Sequence, residues 1–379
     1  MKFLHLADLH IGKRVCEHNM LDEQVHILGE VLDIARKESP DAVLIAGDVY
    51  DKSVPSAEAV AVLDDFLVKL AETGTKVFVL SGNHDSAERI AFGGRLMQGM
   101  GVYMSPVYNG EFAPVTLKDE MGEVDLWMLP FVRPADVRAH LESDEECDAV
   151  TDYTSAMRMA IAQMKFTEGR RNVLVAHQFV TGAERSESEE NVGGLDNVDA
   201  SVFEPFSYVA LGHIHRPQNI GSPRIRYSGT PLKYSFSEAG HKKSVTVVDM
   251  GPKGEVDLKE APLYPIRDLR LLEGKLDELM QRDYTEDYVW ITLKDELVPP
   301  DARVTLSVNY PNMLRFSVVN SRTKYDLDVQ AAESVEHRSI PELFSDFYSL
   351  QNNGQAPGEA HMKLLDKVLR EMEENHEAG

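Results

Sequence analysis

The stretch FLHLADLH, residues 3–10, decides how the chain begins to fold, because a short apolar run stops at once on Asp8 and His10. Further runs of strand length with β-branched or aromatic content follow along the chain. They are AVLIA (42–46), KVFVL (76–80), DLWML (125–129), VLVA (173–176) and YVAL (208–211). Each run, together with FLHLA at 3–7, predicts a buried β-strand.

The first three predicted strands are separated by segments whose apolar residues recur at helical spacing. These residues are Leu21, Val25, Leu28, Val31, Leu32 and Ala35 before the second strand, and Val60, Leu63, Phe66, Leu67 and Leu70 before the third. Gly74 then predicts the end of the second helix. Because strands alternate with helices, the sequence predicts a layered α/β domain.

Polar residues follow the predicted strands, and in α/β domains the loops beyond the carboxyl ends of strands carry the ligand sites. These residues are Asp8 and His10 after the first strand, Asp48 after the second, Asn83 to Asp85 after the third, His177 after the fifth, and His213 with His215 after the sixth. We therefore expect them to converge on one edge of the sheet.

The chemistry of this set indicates metal ions. Two carboxylates, one Asn and four His supply oxygen and nitrogen ligands without a thiolate, a set suited to Mn²⁺, Fe²⁺ or Zn²⁺. Taken singly, each motif also has an ordinary structural explanation, and GNHD at 82–85 is equally typical of a turn. Burying all of these groups together is costly unless a cation compensates them, which favours a metal site.

The composition is that of a soluble globular protein, with 379 residues, 43% hydrophobic and 27% charged. Cys16 and Cys147 predict free thiols, and the lack of any apolar run of about 18 residues predicts a soluble, cytoplasmic protein. A formal net charge of -24 argues against holding nucleic acid unaided. Bound cations or a partner would have to supply the positive charge.

The pattern changes after about residue 265, where shorter elements begin. A helix candidate at 275–282, a strand at 288–293, a Pro-rich turn at 299–300, a helix-poor stretch and a strand at 314–319 follow one another. They predict a small α/β cap domain over residues 266–335, after a first domain over residues 1–265.

Residues 336–379 predict a C-terminal helical segment. It contains an apolar helix-like stretch, a polar break at Gln351 to Gly358, and a last helix whose apolar stripe is formed by Met362, Leu365, Val368 and Leu369. This helix either docks on its own domain or forms a partner-binding segment tethered by a polar linker.

Five motifs occur in order: DLH (8–10), GDVYD (47–51), GNHD (82–85), AH (176–177) and GHIH (212–215). Together they resemble the signature of the calcineurin-like metallophosphoesterases. Within that superfamily the chain resembles the double-strand-break-repair nuclease family, whose layout of phosphoesterase domain, cap and terminal partner-binding segment covers most of the chain. The resemblance implies a layered β-sandwich flanked by helices, with a small α/β cap that binds DNA.

The resemblance also implies an assignment of the metal ligands. Asp8, His10 and His215 would hold one metal, Asn83, His177 and His213 the other, and Asp48 would bridge them. A carboxylate suits the bridge because its two oxygens can serve cations about 3.5 to 4 Å apart. Two residues apart on a strand, the side chains of GHIH would diverge, so the turn must direct them to different metals.

His84 is the histidine of the motifs that is not needed as a ligand. The resemblance implies that it protonates the leaving oxygen or steadies the transition state, and an imidazole exchanges protons near neutral pH. Asp85 is expected either to orient His84, as a second catalytic residue, or to cap the following helix. His5, His18 and His26 are interpreted as core or surface residues.

The implied activity is hydrolysis of DNA phosphodiesters by in-line attack of a metal-activated water. The family acts as exonuclease and endonuclease at DNA ends and hairpins in repair and recombination. It uses two divalent ions, most often Mn²⁺, with Mg²⁺, Fe²⁺ or Zn²⁺ as alternatives. Lys13, Arg14, Arg89 and Arg95 are candidates for phosphate contacts or simply surface charges.

The implied partners are DNA, a second copy of the chain and an SMC-like ATPase. The chain has no Walker A sequence, so that ATPase would be another polypeptide. The alternatives are a phosphomonoesterase or cyclic-nucleotide phosphodiesterase of the same superfamily, and a non-catalytic scaffold. An intact His84 argues against the scaffold.

Overall fold

The computed structural model describes residues 1–184, 186, 197–320, 344–345, 347–349, 356–358 and 361–365. One compact unit comprises Met1–Leu293 with Pro299–Ser317, and a second comprises Lys294–Val298 with Val318–Gly379. In the second unit, the residues at 344–345, 347–349 and 361–365 are helical. Most of the polar break and part of the last apolar stripe, Val368 and Leu369, lie outside the described residues.

The strands and helices below are numbered in chain order. The strands are β1 (Lys2–Leu6), β2 (Arg14–Val15), β3 (His18–Asn19), β4 (Ala42–Ile45), β5 (Lys76–Val79), β6 (Val102–Met104), β7 (Val115–Asp119), β8 (Gly122–Leu129), β9 (Arg171–His177), β10 (Tyr208–Gly212), β11 (Gln218–Ile220), β12 (Ser222–Tyr227), β13 (Ser244–Met250), β14 (Val256–Pro262), β15 (Leu269–Gly274), β16 (Tyr288–Leu293) and β17 (Met313–Val318). The helices are α1 (Leu21–Glu38), α2 (Ala57–Glu72), α3 (Ala87–Ala91), α4 (Gly94–Met97), α5 (Pro134–Arg138), α6 (Asp144–Ala149), α7 (Tyr153–Ala162), α8 (Leu276–Met280) and α9 (Ala302–Leu306).

Two six-stranded sheets form the centre of the first unit. Their strand orders are β14-β13-β1-β4-β5-β6 and β11-β12-β10-β9-β8-β7. Inner strands of each sheet are parallel, such as β1 with β4 and β9 with β10. Antiparallel pairs lie at one edge of the first sheet, where β14 pairs with β13, and at both edges of the second, where β11 pairs with β12 and β7 with β8. The predicted α/β layers are confirmed, and the candidate ligands, which the residue pattern placed at one edge of a single sheet, follow strands of both sheets.

The two sheets pack face to face over a shared apolar core. Phe3, Leu44 and Phe78 from the first sheet belong to the same buried cluster as Val175 and Ala210 from the second. Burying one such large side chain stabilises the fold by about 1.5–3 kcal/mol. Helices α1 and α2 cover the outer face of the first sheet, and α7 covers that of the second. The result is the expected β-sandwich flanked by helices.

The six apolar runs of the sequence all form strands, because each is buried on both faces. Helices α1 and α2 lie where the periodicity predicted them, and Gly74, at φ 81°, follows the cap of α2. The antiparallel hairpins were not predicted, because the alternation of apolar and polar residues in their strands is incomplete, and in the β11–β12 pair the register also shifts between Asn219 and Ile220.

A three-stranded sheet in the order β15-β16-β17, with α8 and α9, follows the sandwich. Leu269 and Tyr288 from it join the core cluster of α1. The stretch expected to be helix-poor contains α9, a correction: five residues bury only Ala302 and Leu306, too few to show a period. Among the described residues, no helix has the length and apolarity that a membrane crossing requires.

Candidate metal centre

The loops that carry the candidate ligands have an unusual backbone. Asp8, His10, Asp48 and His213 have φ values of 54°, 43°, 47° and 99°, in the left-handed region that side chains seldom adopt. Such conformations cost of order 1–3 kcal/mol each and concentrate at functional sites. They turn each side chain away from its strand direction and towards the neighbouring loops.

Close backbone approaches allow the loops of the two sheets to meet. A Cβ at Gly212, at the end of β10, would lie 1.8 Å from the carbonyl oxygen of Ala46 in the other sheet. A Cβ at Gly82 would lie 2.2 Å from Asp48 Oδ1. Glycine is required at both positions because atoms of a neighbouring loop occupy the space that a Cβ would take.

The candidate ligands form two groups that share Asp48. In the first, His10 Nε2 lies 3.3 Å from His215 Nε2 and 3.6 Å from Asp48 Oδ2. Asp8 lies next to residues of the other group, since its Oδ1 accepts a hydrogen bond from the backbone N–H of His213 at 2.9 Å and is 3.8 Å from His177 Nδ1. Asp48 Oδ2 therefore faces this group from within the cluster.

In the second group, Asn83 Oδ1 lies 2.9 Å from His177 Nε2 and 3.0 Å from His213 Nδ1. His177 Nε2 is also 3.4 Å from Asp48 Oδ2. The same carboxylate oxygen thus lies between both groups, the position that a bridging ligand needs. Ligand atoms of Asp8, Asp48 and His177 lie within 4.8 Å of one another, as do those of His10, Asp48 and His84.

Divalent cations fit this cluster. Asp8 Oδ2 is buried and has no hydrogen-bond partner among the described residues. Burial raises the pKa of Asp8 to about 7, and the Asp48 carboxylate adds to that rise. Burial also opposes charge on His177, yet Asp48 and Asp8 raise its pKa to about 9. A site that draws positive charge this strongly is suited to a metal ion.

The hydrogen bonds of two histidines also fit metal binding. Nδ1 of His177 donates to the carbonyl oxygen of Ala46 at 2.9 Å, and Nδ1 of His215 donates to Glu238 Oε1 at 3.0 Å. Since both acceptors lack protons to give, Nδ1 is protonated in each ring, and Nε2 is directed into the cluster. Ligating histidines are held by such contacts in metalloproteins.

His84 is placed beside the cluster, half-buried. Its backbone N–H donates to Asp48 Oδ1 at 2.9 Å, and its Nδ1 donates to the carbonyl oxygen of Asp51 at 3.0 Å. The ring packs edge-on against His10, with centroids 4.9 Å apart. Nε2 is left as the atom that can exchange a proton.

Asp85 has neither of the roles expected from the sequence. Its carboxylate accepts from the backbone N–H groups of Val49, Tyr50 and Gly82 at 2.9–3.0 Å. His84 is oriented by Asp51 instead, and the cap of α3 is Ser86. The physical reason is that three converging N–H donors outcompete a single imidazole. Asp85 therefore ties the GDVYD loop to the GNHD loop.

The candidate phosphate contacts are spread around the centre. Lys13 forms an ion pair with Asp51 at 2.7 Å, and Arg14 contacts Glu17 within the β2–β3 hairpin. Arg89 and Arg95 lie on α3 and α4, outside the ligand cluster. The structure therefore brings only Lys13 into direct contact with a loop of the centre.

Sequence reasoning missed the residues behind the ligands. Tyr234 packs edge-on against His10 at 5.7 Å, while Glu238 and Lys243 lie behind His215. Burial raises the pKa of Glu238, but the Lys243 ammonium and the His215 contact outweigh it and hold the pKa below its usual range. No motif or periodicity marked these residues.

The remaining histidines have the ordinary places expected of them. His5 is fully buried between the sheets, where its ring contacts Tyr208 Oη at 2.9 Å. His18 contacts Tyr288, and His26 lies at the surface. They are core or surface residues, as interpreted from the sequence.

Comparison with known proteins gave two family models. The model for calcineurin-like phosphoesterases matches residues 1–217, and the model described as the type 5 capsule protein repressor C-terminal domain matches residues 265–352. Two relatives are named as the SbcD component of the nuclease SbcCD. The one from Staphylococcus saprophyticus is 30% identical over 97% of this chain and 98% of its own. The one from Staphylococcus epidermidis is 31% identical over 97% and 99%.

A crystal structure of a dimetal phosphatase from Danio rerio covers 69% of this chain and 95% of its own at 12% identity, with a TM-score of 0.36.

Proposed function

The chain belongs to the calcineurin-like phosphoesterases and, within them, to the SbcD nuclease family, and on that premise we propose that it is a two-metal DNA nuclease. It cleaves phosphodiesters as an exonuclease and endonuclease at DNA ends and hairpins, in repair and recombination. The observation that carries the proposal is the position of Asp48 Oδ2 between two groups of nitrogen and oxygen ligands.

The ligand groups suggest how the metals would be held. Asp8, His10 and His215 would hold one, Asn83, His177 and His213 the other, and Asp48 both. When bound, two such cations neutralise the charge of a phosphate and lower the pKa of water. Mn²⁺ is the ion we propose, with Mg²⁺, Fe²⁺ or Zn²⁺ as alternatives, because oxygen and nitrogen donors predominate and no thiolate takes part.

In this proposal His84 donates a proton from Nε2 to the leaving 3′ oxygen. The carbonyl of Asp51 holds the opposite ring nitrogen, which fixes the direction in which Nε2 points. Half-burial leaves the ring accessible to substrate while it stays in contact with His10. Asp85 contributes by positioning the two loops that carry Asp48 and His84.

Backbone phosphates of DNA are contacted by Lys13, Arg14 and Arg89. Lys13 and Arg14 have acidic partners within the protein, so DNA would have to displace Asp51 and Glu17. With a net charge of -24, these few cations need help from the metals and from a partner. The name of the two relatives refers to a complex, and we propose that this chain likewise works with an SMC-like ATPase, SbcC.

The domain division proposed for this assembly is a nuclease domain at 1–265, a DNA-binding cap at 266–335 and a partner-binding segment at 336–379. The boundary near residue 265 is supported by the second family model, which begins at that residue. It is also supported by the three-stranded sheet, which begins at Leu269.

A homodimer is the further assembly that we propose. Phe92, Leu96 and Met100, along α3, α4 and the next turn, are 85%, 85% and 75% exposed, an apolar patch of the kind that marks interfaces. Leu96→Glu should convert the dimer to a monomer in light scattering. Val308→Glu, at another exposed apolar residue, should leave the dimer intact. A monomeric wild type contradicts this part of the proposal.

The nuclease is tested by cleavage of linear duplex and hairpin DNA with Mn²⁺, Mg²⁺ or EDTA. His84→Gln should keep both metals and lose about 10²–10⁴-fold in cleavage rate, the usual effect of removing a general acid. His140→Gln, at an exposed surface histidine, is the matched control and should cleave normally. Brisk hydrolysis of p-nitrophenyl phosphate without DNA cleavage, alone or with the ATPase partner, would favour the phosphomonoesterase alternative.

A further inference from the structure

We propose that Glu238 and Lys243 form a positioning pair that holds His215 with Nε2 directed at the metal centre, and that this pair sets the affinity of one metal position. The inference rests on the proposed function only through the assignment of His215 as a ligand.

Both carboxylate oxygens of Glu238 accept hydrogen bonds, and one of these bonds comes from His215. It is fully buried at the end of a short 3₁₀ turn, Phe236–Glu238, whose first N–H groups are capped by Ser235. Its Oε1 accepts from His215 Nδ1 at 3.0 Å, and its Oε2 accepts from Lys243 Nζ at 2.6 Å. Both oxygens are therefore committed, and the imidazole cannot turn over without breaking its bond to Oε1.

Lys243 holds the same histidine from its main-chain side. Besides Glu238, its ammonium donates to Thr230 Oγ1 at 2.6 Å and to the carbonyl oxygen of His215 at 2.9 Å. An ammonium has three protons, and all three are used. Lys243 thus fixes the backbone of His215, while Glu238 fixes its ring.

A buried ion pair is a poor source of net stability, because desolvation of the two charges offsets their attraction. Lys243 is 6% exposed and Glu238 is fully buried, so this penalty applies in full. Orientation of His215 is the role that the contacts themselves identify, since one member touches its ring and the other its carbonyl.

In the second ligand group, a different kind of hydrogen-bond acceptor holds the histidine His177. His177 donates Nδ1–H to the neutral carbonyl of Ala46, whereas His215 donates to a carboxylate. A carboxylate acceptor makes a ligating imidazole more basic, and loss of such a partner typically weakens metal binding by about 10–100-fold. The two metal positions should therefore respond unequally to loss of Glu238.

The test uses the full chain with Glu238→Gln and, because that variant strands the Lys243 charge, the charge-balanced Glu238→Gln/Lys243→Met. Mn²⁺ titration followed by electron paramagnetic resonance should show one position weakened by about 10–100-fold and the other nearly unchanged. Nitrogen-15 spectra of the metal-free protein, with the signal of His215 assigned by His215→Gln, should show protonated Nδ1 in the wild type and mixed tautomers in the variants.

Asp119→Asn is the matched control, because it breaks a remote, largely buried ion pair with Arg171 and should leave both Mn²⁺ affinities unchanged. The proposal is overturned if the variants bind both ions like the wild type, if the tautomer of His215 does not change, or if Asp119→Asn weakens Mn²⁺ binding equally. Should Glu238→Gln fail to fold, the charge-balanced variant decides. Neither readout involves DNA, so absence of cleavage would count against the nuclease alone.

Discussion

The two ends of strand β1 carry two largely buried polar clusters of opposite character. Beyond its carboxyl end, Asp8 Oδ2 has no hydrogen-bond partner among the described residues. Next to its amino end, both oxygens of Asp119 accept from the Arg171 guanidinium at 2.5 and 3.1 Å, and the Met1 ammonium adds a contact at 2.8 Å. Cationic groups of the protein thus balance the charge of Asp119, whereas Asp8 Oδ2 has no such partner among the described residues.

The pKa shifts of the two carboxylates express this difference. Hydrogen bonds from Arg171 hold the pKa of Asp119 below its usual range, whereas burial raises the pKa of Asp8 to about 7. A carboxylate stabilised by its neighbours contributes to folding. The contacts point the same way, because the Arg171 guanidinium engages both oxygens of Asp119, whereas Asp8 Oδ2 is buried without a hydrogen-bond partner among the described residues. A cation beside Asp8 would compensate that buried charge.

The largest effect should come from Asp48→Asn. The amide lacks the negative charge of the carboxylate that faces both ligand groups, so both metal positions should weaken and DNA cleavage should fall by about 10³-fold or more. Isothermal titration calorimetry with Mn²⁺ measures metal binding, and a DNA cleavage assay measures the loss of activity. Retention of two tight sites would show that Asp48 is not shared.

Asp119→Asn should have the opposite profile. Loss of its charge-assisted hydrogen bonds should lower the free energy of unfolding by about 2 kcal/mol at pH 7, with Mn²⁺ binding unchanged. Because the folded-state pKa of Asp119 is lowered, its stabilisation is present above about pH 4, the unfolded value, and fades as the pH falls below it. Urea unfolding in EDTA at several pH values tests this, and a difference from wild type that grows in acid contradicts it.

Asp8→Asn should have the smallest effect on stability, and this effect should be opposite in sign to its effect on metal binding. Removing a buried charge beside Asp48 should raise the stability of the metal-free protein by roughly 1 kcal/mol while it weakens metal binding. Thermal unfolding with and without Mn²⁺ measures both, because a ligand at 100 times its Kd adds about 2.7 kcal/mol. A variant less stable than wild type in EDTA would mean that Asp8 serves the fold.

The sequence predicted the parts of the molecule whose signal is local. The apolar runs that became β1, β4, β5, β8, β9 and β10 and the helices α1 and α2 were predicted because they are buried and periodic. The candidate ligands were found because each follows such a strand. The residue pattern did not show that the strands before these ligands belong to two sheets, since nothing local in the run VLVA marks β9 as part of a second sheet.

The contacts behind the ligands could not be predicted, because they join residues with no pattern between them. Glu238 and Lys243 stand 23 and 28 residues beyond His215. Asp85 follows His84 directly and yet contacts the backbone of Val49 and Tyr50 instead. In both cases the choice of partner depends on which loops the fold brings together.

The left-handed backbone at Asp8, His10, Asp48 and His213 has a consequence for deep mutational scanning. Asp, Asn and His are the residues other than glycine that tolerate this conformation best, while β-branched residues tolerate it poorly. Valine at any of these positions should therefore lower folded abundance in cells grown without added metal or selection for DNA repair. A scan of abundance alone would then reveal four of the ligand positions through their backbone, with no assay of what they bind.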